Sequence, residues 1–573
     1  MIIPRDKLKR DEKVQWIASV CRQSQEDRRK IYDRRKRYFL YGTYGQETVR
    51  YNRLYAHMDL VASFLFAEDH ARYSISAPRN SEETIVKQML AAEDDWNDTF
   101  RDSGLAEQFG VNLLWSLVYD SMFIKMGWND EREELFGRTV LPSAMGVFDE
   151  SEPDLDSQEA FCHTYPLDWD NAVLRLARAG KLDLVRQLTV NFGPKTSDYP
   201  PVLAHMLDIS QTGGTNLSGP VIGSVPLDYE PKPTYEPMSD APSASFTELW
   251  VWDDMTEDYA TFVLVDNGEG SDVISDSRDT IDAMAKETPE RFRDKKSQSN
   301  IFLPDEHPFV HIRPYTLPEY FWGEAHIERL IPLQRWTNER LDQIADILER
   351  QVDPAKVFSG FTGLADEKAS ALGGPGSWVV EPMNTGAKVD TLAPKMPEDL
   401  FAEFQQIGHI FLEASGLTET VTGKGEAGVR GRGHAKQLAT TGSARIRKIG
   451  VGLEQPLMKL GDLGLKLKQK NDDTSLRPDD GHEFVLAQMA SGWKIRVAGH
   501  SHSPLFADEA RELAVTLLKA QAIDQEMFIR LMNPPNMDNM IFALRAKNKA
   551  KAAAIAANPE LAKPKGGAKA KAA

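Results

Sequence analysis

One amphipathic stretch constrains this chain more than any other. Ile327, Leu330, Ile331, Leu341, Ile344, Ala345 and Leu348 recur on a single helical face, and Gln334 and Asn338 interrupt that same face. Amides in an apolar seam add little stability but specify register between packed helices, which makes Gln334 and Asn338 candidate register residues. A helix over 326–351 would be roughly 39 Å long at 1.5 Å per residue. Pro332 predicts a kink or a fresh start near it. Asp353-Pro354 predicts the end, because the residue before proline disfavours helical torsions.

The elements beyond this helix come in a definite order. Residues 352–395 read as a small β-module: Lys356-Val357-Phe358, the turn Gly373-Gly374-Pro375-Gly376, Trp378-Val379-Val380, then Val389 to Leu392. Pro397, Glu398 and Asp399 make a favourable first turn for a second helix. Leu400, Phe404, Ile407 and Phe411 share one of its faces, and Gly416 is a natural stop. A glycine-studded basic loop comes next, with Lys424, Arg430, Arg432 and Lys436 in or beside it. The helical pattern 435–470 then carries Arg445, Arg447, Lys448, Lys459 and Lys466, with a kink expected at Pro456.

Upstream, residues 5–40 are densely charged and read as a solvated helix face rather than an electrostatic arm. Helical spacing recurs over Leu54–Phe66 and Glu83–Trp128, with Leu113, Leu114, Leu117, Val118 and Ile124 as its buried side. From about 138 to 320 prolines and glycines multiply. Phe246–Trp252 and Tyr259–Val265 alternate like the arms of a β-hairpin, Gln211–Pro242 reads as a long loop, and 307–314 as another strand. Trp493–Val497 is a further short strand, and a helix is expected from Ser503 through Met532. Strands segregated from helices make the fold class α+β, helix-rich.

The chain of 573 residues carries a formal net charge of −18. Affinity for nucleic acid comes largely from phosphate contacts, so any such role must be local and weakly binding. Cys21 and Cys162 lie far apart in sequence, the usage of a reducing compartment without a disulfide framework. The N-terminus lacks a signal-peptide plan, and Phe109–Trp128 is too polar for a membrane span, so a soluble, cytoplasmically made chain is expected.

Motifs for chemistry fail on context. Gly423 to Gly428 has the G-x-G-x-x-G spacing, but a helix precedes it where a dinucleotide site needs a strand. Gly416 to Lys424 is too long for a P-loop, and Gly425 stands where a magnesium-binding hydroxyl belongs. His500 and His502 have no third ligand at recognisable spacing, and Asp472-Asp473 with Asp479-Asp480 lack the alternating ligand positions of a calcium loop. No catalytic residue, metal site or cofactor is expected.

The order of parts resembles the portal proteins of tailed double-stranded DNA bacteriophages, from about His307 to Met532, with weaker helical similarity over 45–130. The resemblance implies a portal-type subunit: a wing over 1–323, a first stem helix over 324–351, a clip over 352–395 and a second stem helix over 396–416. It further implies a tunnel loop over 417–434, a kinked wing helix and strand over 435–502, a crown over 503–550 and a disordered Ala/Lys-rich tail over 551–573. The implied assembly is a homo-oligomeric ring, a dodecamer, at one capsid vertex of the virion, through which DNA is packaged and ejected. Its implied partners are the major capsid protein, the large terminase subunit, head-completion or tail adaptor proteins, and DNA without sequence specificity. Lys424, Arg430, Arg432 and Lys436 would then face the channel. Two other readings stay open: a nucleotide-binding enzyme using the loop at 423–433, and a non-portal virion scaffold.

Overall fold

A computed structural model describes residues 1–4, 6–44, 51–67, 71–78, 81–186, 243–266, 270–281, 300, 302–352, 354–359, 388–392, 395, 397, 399–416, 444–472, 475–476, 483–489, 492–497, 504–532, 540–541, 543–548 and 550. Helices and antiparallel sheets are both present and largely segregated, an α+β chain. It divides into two compact units. The first comprises Met1–Asp33, Val140–Phe309 and Thr316–Trp322; the second comprises Arg34–Thr139, Val310–Tyr315 and Gly323–Ala573.

The first helix, α1 (Lys7–Tyr41), supplies its N-terminal part to the first unit and its last turns to the second. In the first unit, strands Met145–Val147, Ala160–Asp168, Ser243–Asp253, Asp258–Asp266 and Ser271–Asp276 form one antiparallel meander in chain order. The alternation read over 246–265 is its central hairpin, with Trp252 opposite Tyr259. Because side chains alternate across a strand, the sheet has two apolar faces. One carries Cys162, Leu249, Val251, Ala260, Phe262 and Leu264 against Val14, Ile17, Ala18 and Cys21 of α1. The other carries Phe246 and Val265 against Ala172 and Leu176 of the helix Trp169–Arg178.

The charges of α1 are not simply solvated. Arg10, with only 7% of its surface exposed, pairs with Asp276 at 3.0 Å. Arg22 bonds Thr247 and Asp266, and the Arg28 guanidinium lies 4.5 Å from the Trp322 ring centre. Within the second unit Arg35 donates to the buried Asp120 at 2.8 Å, and Arg34 pairs with Glu328. Charge density alone does not reveal this, because a buried arginine and an exposed one look alike until their partners are placed.

The second unit is built on helices. Arg53–Leu65, Glu83–Asp102 and Leu105–Tyr119 bury Leu54, Met58, Trp96, Phe100, Phe109 and Leu117. The helical reading of Glu83–Trp128 holds only to Tyr119. Asp120 adopts φ 110°, which ends the helix, and Met122–Asn129 is a strand pairing with Glu134–Val140 and Phe309–Ile312. Ile124 is therefore buried from a strand, and Leu114 is only half-buried. Apolar residues of a strand entering a core also satisfy a helical pattern over one or two turns, which is why periodicity overran the boundary.

Helix breaks follow local chemistry. The run around Pro456 is two helices, Ala444–Gly452 and Glu454–Asn471, parted at Leu453. Pro456 cannot donate to the Gly452 carbonyl, so the ladder lapses there and the proline sits in the first turn of the second helix, where no N–H is missed. The helix expected over Ser503–Met532 is instead Pro504–Lys519 and Gln525–Met532. Ala522 N–H donates to the Leu517 carbonyl and Gln521 N–H to the Leu518 carbonyl, a C-terminal cap with Gln521 at φ 57°. Asp524 Oδ1 then accepts from Met527 N–H at 2.7 Å and starts the next helix. A left-handed torsion is costly for glutamine, so Gln521→Gly is expected to stabilise this unit by about 0.5–1 kcal/mol in thermal unfolding. A destabilised variant would contradict the cap.

Candidate functional site

The element singled out by the sequence is a helix–hairpin–helix arm of the second unit. The chain enters it through the short helical turn His326–Arg329, and the helix Ile331–Val352 starts with Pro332 in its first turn. The strand Ala355–Ser359 then pairs antiparallel with Lys388–Leu392, Val357 opposite Asp390. The helix Asp399–Ser415 returns, its entry marked by Leu400 N–H bonded to the Pro397 carbonyl and its end by Gly416 at φ 78°. Arg340 Nη2 lies 2.8 Å from Glu403 Oε1 and ties the two helices together.

Burial fades along the outgoing helix. Ile331, Gln334, Thr337 and Asn338 are buried, whereas Leu348 is 48% and Val352 83% exposed. On the returning helix Ile407 and Phe411 are buried and Phe401 is 56% exposed. The outgoing helix is thus anchored at its inner half, whereas the returning helix also buries Leu400 near the hairpin, beside the exposed Phe401.

Gln334 and Asn338 are fully buried and spend their amides on main chain of the same unit. Gln334 Nε2 donates to the Tyr51 carbonyl at 2.8 Å and to Asn338 Oδ1 at 2.9 Å, while Gln334 Oε1 accepts from Arg53 N–H at 3.1 Å. Asn338 Nδ2 donates to the Gly42 carbonyl at 2.9 Å. The pair therefore fixes the ends of the connection between α1 and the helix Arg53–Leu65 on the arm's inner half. Replacing either amide by leucine would orphan a buried carbonyl and its amide partner, at about 2 kcal/mol each. Because they share a hydrogen bond, the double variant is expected to lose less than the sum; additive losses in urea unfolding would show that the amides act separately.

The helix Arg53–Leu65 supplies the other anchors, which periodicity alone did not reveal. Its first turn is capped by Asn52, whose Oδ1 accepts from Tyr55 N–H at 3.2 Å, a signal readable as an Asn ahead of an apolar run. The Arg53 guanidinium sits 4.8 Å from the Phe404 ring centre, and His57 stacks on Phe411 with ring centres 4.8 Å apart. Burial, aided by Arg53, holds His57 down to about 4. His326, at the root of the arm, is held down to about 4 by burial and then by Arg329, and its Nδ1 is 2.8 Å from the Tyr315 hydroxyl. Both rings are neutral at pH 7.

Lys424, Arg430, Arg432 and Lys436 lie outside the described residues, as do the glycines of 423–433, His500 and His502. Asp472 is described and lies 3.5 Å from Lys468, which also bonds Asp95 at 2.6 Å. Among the described residues no group of three or more His, Cys, Asp or Glu is placed to hold a metal ion, and no helix is long and apolar enough to cross a membrane. Comparison with protein-family models finds no match, and none is found among curated proteins.

Proposed function

We propose that this chain is a structural, non-catalytic subunit of a portal ring, which conducts double-stranded DNA through one vertex of a bacteriophage capsid. The helix–hairpin–helix arm carries the reading: its helices are rooted by Gln334, Asn338 and Phe411 and leave Leu348, Val352 and Phe401 exposed near the hairpin. A ring of identical subunits would cover such residues through heterologous contacts, each arm against the next. In this reading the helices Ile331–Val352 and Asp399–Ser415 are the stem and the hairpin between them is the clip that docks the terminase and, later, adaptor proteins. The two helices parted at Leu453 belong to the wing, and Pro504–Lys519 with Gln525–Met532 to the crown.

The basic loop between the second stem helix and the wing then lines the channel. A channel must let DNA slide, and an acidic chain with a few local cations holds phosphates only transiently. A ring would multiply Lys424, Arg430, Arg432 and Lys436 into a cationic collar. Neutralising all four is expected to leave assembly intact and reduce DNA packaging and retention; unchanged packaging would remove the collar from the reading. Negative-stain images and native mass of the purified chain test the whole proposal. A hollow ring of about twelve copies is the expected particle, and a stable monomer or dimer overturns it.

A further inference from the structure

The two cysteines of this chain, distant in sequence, are brought together in the core of the first unit. Cys21 on α1 and Cys162 on the strand Ala160–Asp168 are both fully buried and belong to one apolar cluster. Both are free thiols. Two features bring them within reach. Gly146 is the register partner of Cys162 on the neighbouring strand, and a Cβ placed there would overlap the Cys21 carbonyl oxygen and lie 3.1 Å from Cys162 Sγ. The missing side chain at 146 is what allows the α1 backbone to settle onto the sheet. One turn further along α1, Gln25 Nε2 bonds the Ala144 carbonyl at 2.9 Å and reaches Cys162 Sγ at 3.6 Å, which orients that sulfur.

We propose that Cys21 and Cys162 are a disulfide-forming site, a redox-responsive staple between α1 and the five-stranded sheet. The oxidant is a small-molecule disulfide. One thiolate attacks it, forming a mixed disulfide and releasing one small thiol. The second cysteine, as thiolate, attacks the protein sulfur of that mixed disulfide and releases the other small thiol. The two cysteines are oxidised together, the small disulfide is reduced to two thiols, and the protons lost by the cysteines end on those leaving groups. The contact with Cys162 and burial both hold the Cys21 thiol above its usual range, so exchange is slow in the folded chain and fast during folding. In reducing surroundings α1 is held to the sheet by packing, ion pairs and hydrogen bonds; in oxidising ones it is also covalently bonded to it. This inference is independent of the portal reading.

The test uses the full chain, both folded and refolding from denaturant, in mixtures of reduced and oxidised glutathione. After an acid quench, free thiols are labelled with a maleimide in denaturant and counted by intact mass. Two labels are expected in reducing mixtures and none in oxidising ones, with a single cross-linked peptide pair joining Cys21 to Cys162. The bridged chain should also melt at a higher temperature than the dithiol chain. Gly146→Ala is expected to shift the midpoint toward more oxidising mixtures, and Cys21→Ser to abolish the bridge. Two labels surviving in both the folded and refolding experiments would overturn the proposal. So would glutathione adducts or intermolecular links in place of the internal bridge. If Gly146→Ala does not fold, the labelling of the unmodified chain and of Cys21→Ser decides.

Discussion

Gly464→Ala is expected to destabilise the second unit by about 3 kcal/mol, the overpacking cost of one added carbon in a rigid core. At an open position in a helix interior the same change would stabilise by about 1 kcal/mol. The sign is decided by Trp96, which is fully buried with Tyr73 and Phe100 around it, and whose indole a Cβ at 464 would overlap. A Cβ at Gly461, one turn earlier, would likewise lie only 2.7 Å from Ile495 and 2.8 Å from Tyr73. The helix Glu454–Asn471 thus presents two glycines to an aromatic wall. A double-mutant cycle with Trp96→Phe, read by urea unfolding, should recover part of the loss, because the smaller ring makes room. Gly452→Ala is the control, since nothing lies within 4 Å of a Cβ there. If Gly464→Ala is as stable as that control, the helix does not seat on Trp96.

Acid should weaken the arm's root by a comparable amount. His326 and His57 are each held down to about 4, against 6.5 in an unfolded chain. Above pH 6.5 both states are neutral and stability does not depend on these groups. Between 6.5 and about 4 the unfolded chain binds protons that the folded one refuses, so stability falls as pH falls. Below about 4 the folded chain protonates too and the loss levels off, at about 3 kcal/mol for His326 and less for the more accessible His57. Tyr315, Arg329, Glu324 and His57 surround His326, and Arg53 adjoins His57. Glu93, raised by burial, works in the opposite sense over part of this range, so the test must be differential. His326→Gln with His57→Gln should flatten the dependence of the arm's hydrogen-exchange stability between pH 6.5 and 4.5; an unchanged slope would show that other groups carry it.

Much of the arm is legible in the sequence because its signals are local. Pro332, Pro354, Pro397 and Gly416 act on torsions within one or two residues of themselves, and each stands at or next to a helix boundary of the structure. The hairpin over 246–265 is equally plain, since alternation along two adjacent runs encodes both strands and their pairing. Where local signals are weak, periodicity overruns the true ends. Asp120 and Gln521 end helices at positive φ without the glycine that usually marks such an end, and the strand Met122–Asn129 passes for another helical turn.

The sequence by itself determined the kinds of element and their order: helix, a small β-module, helix, and a helical run disturbed by Pro456, which the structure parts into two helices where a kink is expected. It did so because prolines, glycines and apolar periodicity act through the nearest few bonds. Only the tertiary structure decided which distant residues meet. It brought Cys21 to Cys162, set Trp96 against Gly464, and turned the amides of Gln334 and Asn338 toward the main chain at 42–53. Such pairings depend on how faces pack across the whole chain, and a hydrogen bond or a steric overlap between residues hundreds of positions apart leaves no trace in the pattern around either one.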